Sequence, residues 1–515
     1  MLTNEDLLFQ ALRQHQSGNR QQAESLCREV LKTRPDHCDA LHLLGVLEHE
    51  AGRFNAAIPL IRRAIDLKPA VASFHSNLGI AHRAGGQLTE AIKCYRQALW
   101  IDPQLVNAHF NLGNVFQDLG ELERAGECYR KALSLKPDFG DALCNLGLVH
   151  RAQGQLDEAI TCFRRAVAQG KACPNALTNL GIALKEKGDL VEAAACQEQA
   201  LRLDSKHANA RFNLSLLRLL QGDFDRAWSD FECRWEASGL APKHVDIPLW
   251  DGKPLKGKTL LVYAEQALGD TLQFARYAAL LRKRGAKVVL ECQPGLAPLL
   301  EGVADQIIPE GELLPHIDVQ APLISLPGLM KTTAKTIPAH TPYVQSDSKL
   351  ERFWRHKLSK VKGYKVGIAW QGNPDDPEDR LWSIPLERFA ALADVDGVRL
   401  VSLQIGPGHE QVSSLSGFPL LDLGGRMDRD ITWSDIAAAM MSLDLVVTAD
   451  TPIAHLAGAL GVPVWTVLAY VPEWRWQMDR ADSPWYPTMR LFRQRRRGDW
   501  DEVMARVALA VPFEE

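Results

Sequence analysis

A period of 34 residues runs through the first half of this sequence and constrains its fold more than any other feature. Each periodic glycine separates two helix-length amphipathic segments, and the alanine five positions later is small enough to let two helices approach closely. The repeated positions are Gly18, Gly52, Gly86, Gly120, Gly154, Gly188 and Gly222, and Ala23, Ala57, Ala91, Ala125, Ala159, Ala193 and Ala227. This pattern predicts seven helical hairpins over residues 1–241, stacked because one hairpin alone cannot bury its apolar face.

Other residues share this period. Cys94, Cys128, Cys162 and Cys196 are also 34 residues apart and have no CxxC partner, so we expect small packed side chains rather than metal ligands or disulfides. Proline closes four of the repeats, since it cannot continue the second helix. In the unit 106–139 the signature positions of the tetratricopeptide repeat are matched by Leu112, Gly113, Gly120, Ala125, Tyr129, Ala132 and Pro137. The array therefore resembles tetratricopeptide repeats, which implies a superhelix whose groove binds a protein partner.

Asparagine also recurs in the repeats, at Asn77, Asn111, Asn145, Asn179 and Asn213. Asparagine is a weak helix former, so its recurrence within helices indicates a role for the amide. One interpretation is that the amides hold the backbone of an acceptor peptide, as a similar ladder does in eukaryotic-type O-GlcNAc transferases. The other is hydrogen bonding between adjacent repeats.

The composition excludes several classes of protein. A chain of 515 residues with 46% hydrophobic and 24% charged residues is expected to fold into about three domains rather than remain disordered. Its net charge of −4 does not indicate the excess of positive charge that nucleic-acid-binding proteins usually carry. We expect no membrane span, because no long apolar run is present, and a cytoplasmic location, because MLTNEDLLFQALRQ does not resemble a signal peptide.

After the repeats, the helical period gives way to alternating strand and helix patterns. Residues 242–257 are rich in proline, glycine and lysine and are expected to form a linker. Short apolar runs such as TLLVYA, KVVLEC, KVGIAW and DLVVTAD alternate with amphipathic segments, which predicts two parallel-sheet lobes, 258–350 and 351–515. Neither lobe contains GxGxxG or a Walker loop, so a dinucleotide oxidoreductase or phosphate-loop NTPase is disfavoured.

Three segments of these lobes resemble GT-B glycosyltransferases of the heptosyltransferase-like family (family 9), in the variant fused to tetratricopeptide repeats. They are Gly269-Asp270, the AWQGN loop with Arg380-Leu381-Trp382, and DTPIAHLAGALGVPVW at 450–465. The resemblance implies an N-terminal all-α tetratricopeptide superhelix followed by an α/β GT-B fold of two Rossmann-like lobes. It also implies an inverting, metal-independent transferase that needs no cofactor beyond its nucleotide-sugar substrate.

The second lobe carries the predicted nucleotide-sugar site. Asp450 and Thr451 lie between a strand and a helix whose first N–H groups can receive a diphosphate, and His455 follows one turn later. The alternative is a helix cap and a satisfied core histidine. Pro452 stands where the family often has glycine, and it removes one of those N–H groups.

Further donor contacts are expected from loops facing the cleft. By resemblance, Arg380 faces the donor phosphates and stabilises the departing charge; otherwise it is a solvated loop arginine. Gln371, Asn373 and Gln404 lie at strand ends and are candidate base or ribose contacts. The segment PEWRWQMDRADSPWYPTMRLFRQ either stacks on the ligand through its aromatic residues and binds phosphate through its arginines or packs the final helix across the cleft.

Asp270 is the candidate catalytic base, because the family has an aspartate after glycine facing the acceptor hydroxyl, and an inverting transfer needs a proton acceptor there. The alternative is a helix N-cap before TLQFARYAALL. These features predict a glycosyltransferase that modifies Ser or Thr of a protein recruited by the repeats, with flagellin as one acceptor by resemblance. The alternatives are transfer to lipopolysaccharide or another glycan, and a repeat scaffold without catalysis.

Overall fold

The computed structural model describes residues 3–169, 173–255, 257–265, 267–376, 378–423 and 431–512. The chain divides into two compact units, one ending at Leu184 and the other beginning at Lys185. Within the described residues, no helix is both long enough and apolar enough to cross a membrane.

The first unit is an array of antiparallel helical hairpins. Its complete helices are α1 (Asn4–Gln16), α2 (Arg20–Thr33), α3 (Cys38–Glu50), α4 (Phe54–Leu67), α5 (Ala72–Ala84), α6 (Leu88–Ile101), α7 (Val106–Asp118), α8 (Leu122–Leu135), α9 (Gly140–Ala152) and α10 (Leu156–Ala168). The periodic alanines are fully buried, as at Ala125. A Cβ on Gly113 would lie 2.6 Å from the ring of Tyr129, so the two helices of that hairpin approach too closely for any larger residue.

The array continues into the second unit. Helix α11 (Pro174–Lys187) spans the division, and α12 (Leu190–Leu203), α13 (Ala208–Leu220), α14 (Phe224–Phe231) and the short α15 (Arg234–Ser238) follow it. The described residues thus contain the seven predicted hairpins, α1–α2 to α13–α14. The described cysteines are free, and the four at the 34-residue period are buried or partly buried.

The division between the units falls inside the repeats, whereas the sequence places the end of the repeats at residue 241. Aromatic packing explains this difference. The rings of Trp228 and Phe231 lie 5.7 and 6.2 Å from the ring of Trp474, and Trp228 Nε1 donates to the carbonyl of Thr332 at 2.8 Å. The last hairpin therefore shares a hydrophobic core with the α/β region.

The α/β region begins with a four-stranded parallel sheet in the order β3-β2-β1-β4, where β1 is Thr259–Tyr263, β2 Lys287–Cys292, β3 Gln306–Pro309 and β4 Val319–Pro322. Leu260 pairs with Val288 on one side and with Val319 on the other. The helices of this lobe are α16 (Leu268–Phe274), α17 (Arg276–Lys283) and α18 (Leu326–Leu329), with 3-10 turns at Pro294–Leu300 and Leu323–Ser325; α19 (Ser348–Leu358) connects it to the next lobe.

A six-stranded parallel sheet follows, in the order β10-β9-β8-β5-β6-β7. Its strands are β5 (Tyr364–Ala369), β6 (Val398–Ser402), β7 (Leu420–Asp422), β8 (Leu445–Thr448), β9 (Val464–Leu468) and β10 (Met489–Arg493). Its helices are α20 (Asp379–Trp382), α21 (Ala390–Ala393), α22 (Gln411–Ser414), α23 (Trp433–Met440), α24 (Pro452–Leu460) and α25 (Trp500–Ala510), with 3-10 turns at Leu386–Phe389 and Trp474–Trp476. The prediction of parallel sheets covered by helices is confirmed.

Both sheets have a point at which the chain reverses its direction of strand addition, between β1 and β4 and between β5 and β8. Crevices at the carboxyl ends of strands beside such points are where ligands of open α/β sheets bind. The segments that follow β1, β5 and β8 contain Asp270, in the first turn of α16, and Gln371 and Asp450, so the topology directs the search for a site to these segments.

Candidate functional site

A cavity of about 700 Å³ lies at the carboxyl ends of the strands, bounded by both lobes of the second unit. Helix α16 of the first lobe and the start of α24 of the second contribute its walls. The predicted site residues that line this cavity are Asp270, Gln371, Asn373, Gln404, Asp450, Thr451 and His455. Its volume is within the range of roughly 300–1,000 Å³ found for ligand pockets.

Asp270 lies in the first turn of α16, whose N-cap is Ala267. The alternative of an aspartate N-cap is therefore wrong, since Asp270 is the third residue of the helix. Its carboxylate accepts a hydrogen bond from the guanidinium of Arg475, which the second lobe provides. The candidate base is accordingly held in an ion pair across the cavity.

Arg475 lies at the centre of this polar cluster. Besides Asp270 it donates to Glu473, and its Nε donates to Oε1 of Gln273 at 2.6 Å. Its guanidinium also lies 4.5 Å from the centre of the Trp474 ring. Because Arg475 is only 9% exposed and lines the cavity, it is a fixed positive charge at the place where a ligand would sit.

Glu473 is the acidic partner that follows β9 and precedes this arginine. Burial raises its pKa to about 7, although the nearby Arg475 guanidinium acts in the opposite direction. The sequence did not single out Glu473. Its i, i+2 spacing to Arg475 is a weak indication of a pair, and the two side chains meet here because the chain turns in the 3-10 segment that begins at Trp474.

Asp450 follows β8 and has its own donor. Trp476 Nε1 donates to Oδ2 of Asp450 at 2.7 Å, and burial raises the pKa of this carboxyl to about 6. The residue that caps α24 is Thr451, whose hydroxyl lies 2.9 Å from that of Thr448 rather than on the helix N–H groups. The N-cap alternative for Asp450 is therefore wrong. Pro452 is the first helical residue, as the sequence indicates.

His455 is both buried and part of the cavity wall. Its Nδ1 lies 2.9 Å from the Tyr486 hydroxyl, and its ring stacks on Trp476 with the centroids 5.2 Å apart. Burial, reinforced by the charges of Arg475 and Arg276, holds its pKa well below the ordinary value, so the imidazole is neutral. A Cβ on Gly269 would lie 2.9 Å from Cδ2 of His455, which shows how closely α16 approaches this ring.

The loops after β5 and β6 are tied together by Gln404. Its Oε1 accepts from the main-chain N–H groups of Trp370 and Gln371, and its Nε2 donates to the carbonyls of Gln371 and Pro407. These four hydrogen bonds use all the donors and acceptors of the side-chain amide. Gln404 therefore positions the loop that follows β5. Gln371 accepts at Oε1 from Gln411 at 2.7 Å, and Asn373 is exposed.

Arg380 is the predicted site residue that the structure does not bring to the cavity. It is exposed in α20, whereas its neighbour Asp379 lines the cavity and accepts from the Ser383 hydroxyl at 2.8 Å. Burial raises the pKa of Asp379. Among the residues that line the cavity the cation is Arg475, which follows β9, and not the predicted Arg380.

The aromatic residues around Arg475 mostly pack inside the protein. Trp474, Trp476, Trp485 and Tyr486 are each at most 4% exposed, and Trp474 packs against the last hairpin. The rings therefore pack inside the protein, but in the core shared with the last hairpin and not against the final helix, whose buried residues belong to another core. The aromatic rings that line the cavity are instead Trp382 and Trp433, which are only partly buried and offer flat surfaces for a base. Within the described residues no cluster of metal-ligating side chains is present.

The periodic asparagines differ from one another. Asn77 Nδ2 lies 2.8 Å from Nε2 of His42, and Asn145 Nδ2 donates to Oδ1 of Asn114 at 2.8 Å; both contacts join adjacent hairpins. Asn213 donates to the carbonyl of Asn209 within its own helix. Hydrogen bonding between repeats thus occurs at two of the positions, and Asn111 and Asn179 are partly exposed.

Comparison with protein-family models confirms the repeats. Models described as "TPR repeat" and "Tetratricopeptide repeat" match residues 10–72, 81–120, 113–154, 138–206 and 178–237. Such repeats generally mediate protein–protein interaction. Among curated proteins, the chain is similar to Protein FlbA of Caulobacter vibrioides, with 26% identity over 324 residues that cover 57% of this chain. The aligned region covers 53% of FlbA, so the chain spans about half the length of this relative.

Three solved structures that resemble the chain each cover between 31% and 40% of it. MamA is 28% identical, with a TM-score of 0.29, and covers 31% of this chain and 93% of its own. The Pseudomonas aeruginosa protein PilF is 20% identical, with a TM-score of 0.37, and covers 40% and 95%. The Thermus thermophilus tetratricopeptide protein TTC0263 is 22% identical, with a TM-score of 0.32, and covers 35% and 99%.

Proposed function

We propose that the chain is a cytoplasmic glycosyltransferase of the GT-B type that moves a sugar from a nucleotide donor to a serine or threonine of a protein recruited by its repeats. The observation that carries the proposal is the cavity between two parallel-sheet lobes, where a candidate base, Asp270, and a buried cation, Arg475, form an ion pair in the wall of a ligand-sized space. The carboxyl ends of parallel strands beside a switch point are where nucleotide ligands of open α/β sheets bind.

The donor's diphosphate would lie beside Arg475 and the start of α24. Both Arg475 and the helix N-terminus favour an anion, and the fork of the guanidinium suits two phosphate oxygens. Arg475 would turn Nη2, the nitrogen that donates to Asp270, towards the diphosphate. In this way donor binding frees the Asp270 carboxylate when the acceptor hydroxyl needs a base.

In the transfer step the acceptor oxygen attacks the anomeric carbon while Asp270 accepts the hydroxyl proton. The bond from that carbon to the nucleoside diphosphate breaks, and Arg475 stabilises the negative charge on the departing group. Asp450 and the neutral His455 lie where they can orient the donor through hydrogen bonds. A divalent metal is not required in this scheme.

The donor assignment is tested by isothermal titration calorimetry of the full chain with a panel of UDP-, GDP-, ADP- and CMP-sugars. We expect one donor to bind and to be displaced by its nucleoside diphosphate. Absence of binding by every member of the panel would contradict the proposal.

The acceptor is tested by intact-mass analysis of flagellin co-expressed with the chain. We choose flagellin as the test acceptor because the sequence resembles repeat-fused bacterial transferases. We expect a mass increase equal to whole sugar residues, located on serine or threonine. An unmodified flagellin, despite turnover of the donor, would exclude flagellin and direct the search to other proteins or to glycans.

A second candidate is a repeat scaffold without catalysis. The observation that favours it is the ion pair of Asp270 with Arg475, because the carboxylate of the candidate base is already occupied by a partner. The calorimetric panel separates the two candidates, since a scaffold has no need to bind a nucleotide sugar.

A further inference from the structure

A second cavity, of about 430 Å³, lies beside the first in the same compact unit. Its walls come from the end of the repeat array and from the first lobe. Phe212 is on α13, Trp235 and Ser238 are on α15, Ala241 is in the linker, and Ile324 follows β4. The last repeat hairpin and its linker therefore form one side of this space.

The two cavities share Ala267 and Asp270. Asp270 is thus the titratable residue common to both, and a group in either cavity can approach its carboxylate. In an inverting transfer the acceptor oxygen and the departing diphosphate occupy opposite sides of the sugar carbon. If the donor lies in the first cavity beside Arg475, the second cavity is a route by which an acceptor reaches the base.

The charges in the second cavity are balanced. Arg234 donates from Nε and Nη2 to the two carboxylate oxygens of Glu265 at 2.9 and 2.8 Å, and Lys243 Nζ lies 2.6 Å from a carboxylate oxygen of Glu310. A phosphorylated glycan needs cations to replace its hydration, and the two cations of this cavity are already held by carboxylates. The apolar side chains of the wall favour an acceptor with apolar and neutral groups.

We infer that the second cavity binds the acceptor, and that this acceptor is a polypeptide segment whose serine or threonine hydroxyl is presented to Asp270. The inference rests on the proposed function and selects a polypeptide over a phosphorylated glycan. The continuity of the wall with α13 supports the choice, because a protein held by the repeats would meet this cavity as it leaves the last hairpin. The hydroxyl proton passes to Asp270, the acceptor oxygen bonds to the sugar carbon, and the nucleoside diphosphate leaves into the first cavity.

The test uses the full chain with Ala241→Trp, which adds bulk at the exposed rim of the second cavity. The matched control is Val245→Trp, a substitution in the same linker at a residue that is 72% exposed and does not line the cavity. The probes are synthetic peptides that carry one serine or threonine, and a phosphorylated lipopolysaccharide core oligosaccharide. The donor is the radiolabelled form of the panel member that binds.

We expect peptide transfer by Ala241→Trp to fall at least about tenfold, with donor binding and donor hydrolysis by water unchanged, because only acceptor access is blocked. Val245→Trp should transfer at the parent rate. Parent-like transfer by Ala241→Trp, or transfer by the parent chain to the oligosaccharide and not to the peptides, would overturn the inference while leaving the transferase assignment intact. Absence of both binding and hydrolysis of every donor would overturn the proposed function and the inference with it.

Discussion

The Arg475 guanidinium donates a hydrogen bond to the Asp270 carboxylate, joining a loop of the second lobe to helix α16 of the first. The pair places the candidate base and the candidate phosphate ligand in direct contact before any donor is bound. The two residues are 205 positions apart in sequence, so the contact depends on how the lobes close on each other.

Replacing Arg475 with lysine should weaken nucleotide-diphosphate binding by about tenfold, because a single ammonium cannot reach two oxygens as a guanidinium does. Calorimetry with the nucleoside diphosphate of the bound donor measures this change. Arg480→Lys is the control, since Arg480 pairs with Asp482 and does not line the cavity. Equal affinities in the Arg475→Lys variant and the parent chain would remove Arg475 from the phosphate site.

The raised pKa of Glu473 predicts a pH-dependent stability. The folded chain keeps the proton up to about pH 7, whereas the unfolded chain loses it near the ordinary value of 4.5. The unfolded state therefore binds fewer protons between these values, and the contribution of Glu473 to the free energy of unfolding falls as the pH rises through this window.

The measurement is the thermal unfolding midpoint of the parent chain and of Glu473→Gln, in steps between about pH 5 and pH 8. The midpoint of the parent, relative to that of the variant, should fall as the pH rises. The exposed Glu312→Gln serves as the control and should follow the parent at every pH. A constant difference between parent and Glu473→Gln would show that the carboxyl is ionised throughout.

Gly269→Ala should disturb the contact between α16 and α24. The added Cβ would meet Cδ2 of His455 at 2.9 Å, so the helix or the ring must move, at a cost of about 1–3 kcal/mol. We expect a lower unfolding midpoint and weaker nucleotide-sugar binding. Gly140→Ala is the matched control at the start of α9, where a Cβ meets open space and the better helix former should be neutral or stabilising. Parent-like behaviour of both variants would show that the two helices tolerate a wider spacing.

The asparagine positions should separate into structural and binding roles. Asn145→Ala removes the donor to Asn114 and should cost about 1 kcal/mol in the free energy of unfolding. Asn111→Ala should cost little, because within the described residues the Asn111 side chain has no hydrogen-bond partner. Urea unfolding of the full chain, followed by helical circular dichroism, measures both. If replacing all five asparagines leaves the capture of purified flagellin intact, the amides do not hold that acceptor.

The repeats could be predicted because the residues that pack each hairpin lie within the sequence of that hairpin. A glycine lies against an aromatic ring at Gly113 and Tyr129, and the same pair recurs 34 residues away on either side, at Gly79 and Tyr95 and at Gly147 and Phe163. The inner strands were equally visible as apolar runs. Strands β7 and β10 were not, because β7 has three residues and β10 mixes apolar residues with Arg490 and Arg493.

The site residues that could be predicted are those whose positions follow from the order of the parallel strands. Asp270, Asp450 and Gln371 all follow parallel strands, and the carboxyl ends of such strands meet at one edge of each sheet. The sequence offers Arg475 only as one of several arginines that could bind phosphate, and it does not indicate Glu473, because their loop is positioned by aromatic packing between Trp474 and the last hairpin. Arg380 was placed by resemblance alone, and a loop position does not determine which way the chain turns.

The most direct measurement of the central claim is donor turnover by the parent chain and by Asp270→Asn, which keeps the shape of the side chain and removes its basicity. With the bound donor and the peptide acceptors, the parent should release nucleoside diphosphate and form the glycosylated peptide. The Asp270→Asn variant should be slower by about 100-fold or more while binding the donor normally. Turnover by Asp270→Asn at the parent rate, or no turnover by the parent with a donor that binds, would contradict the account.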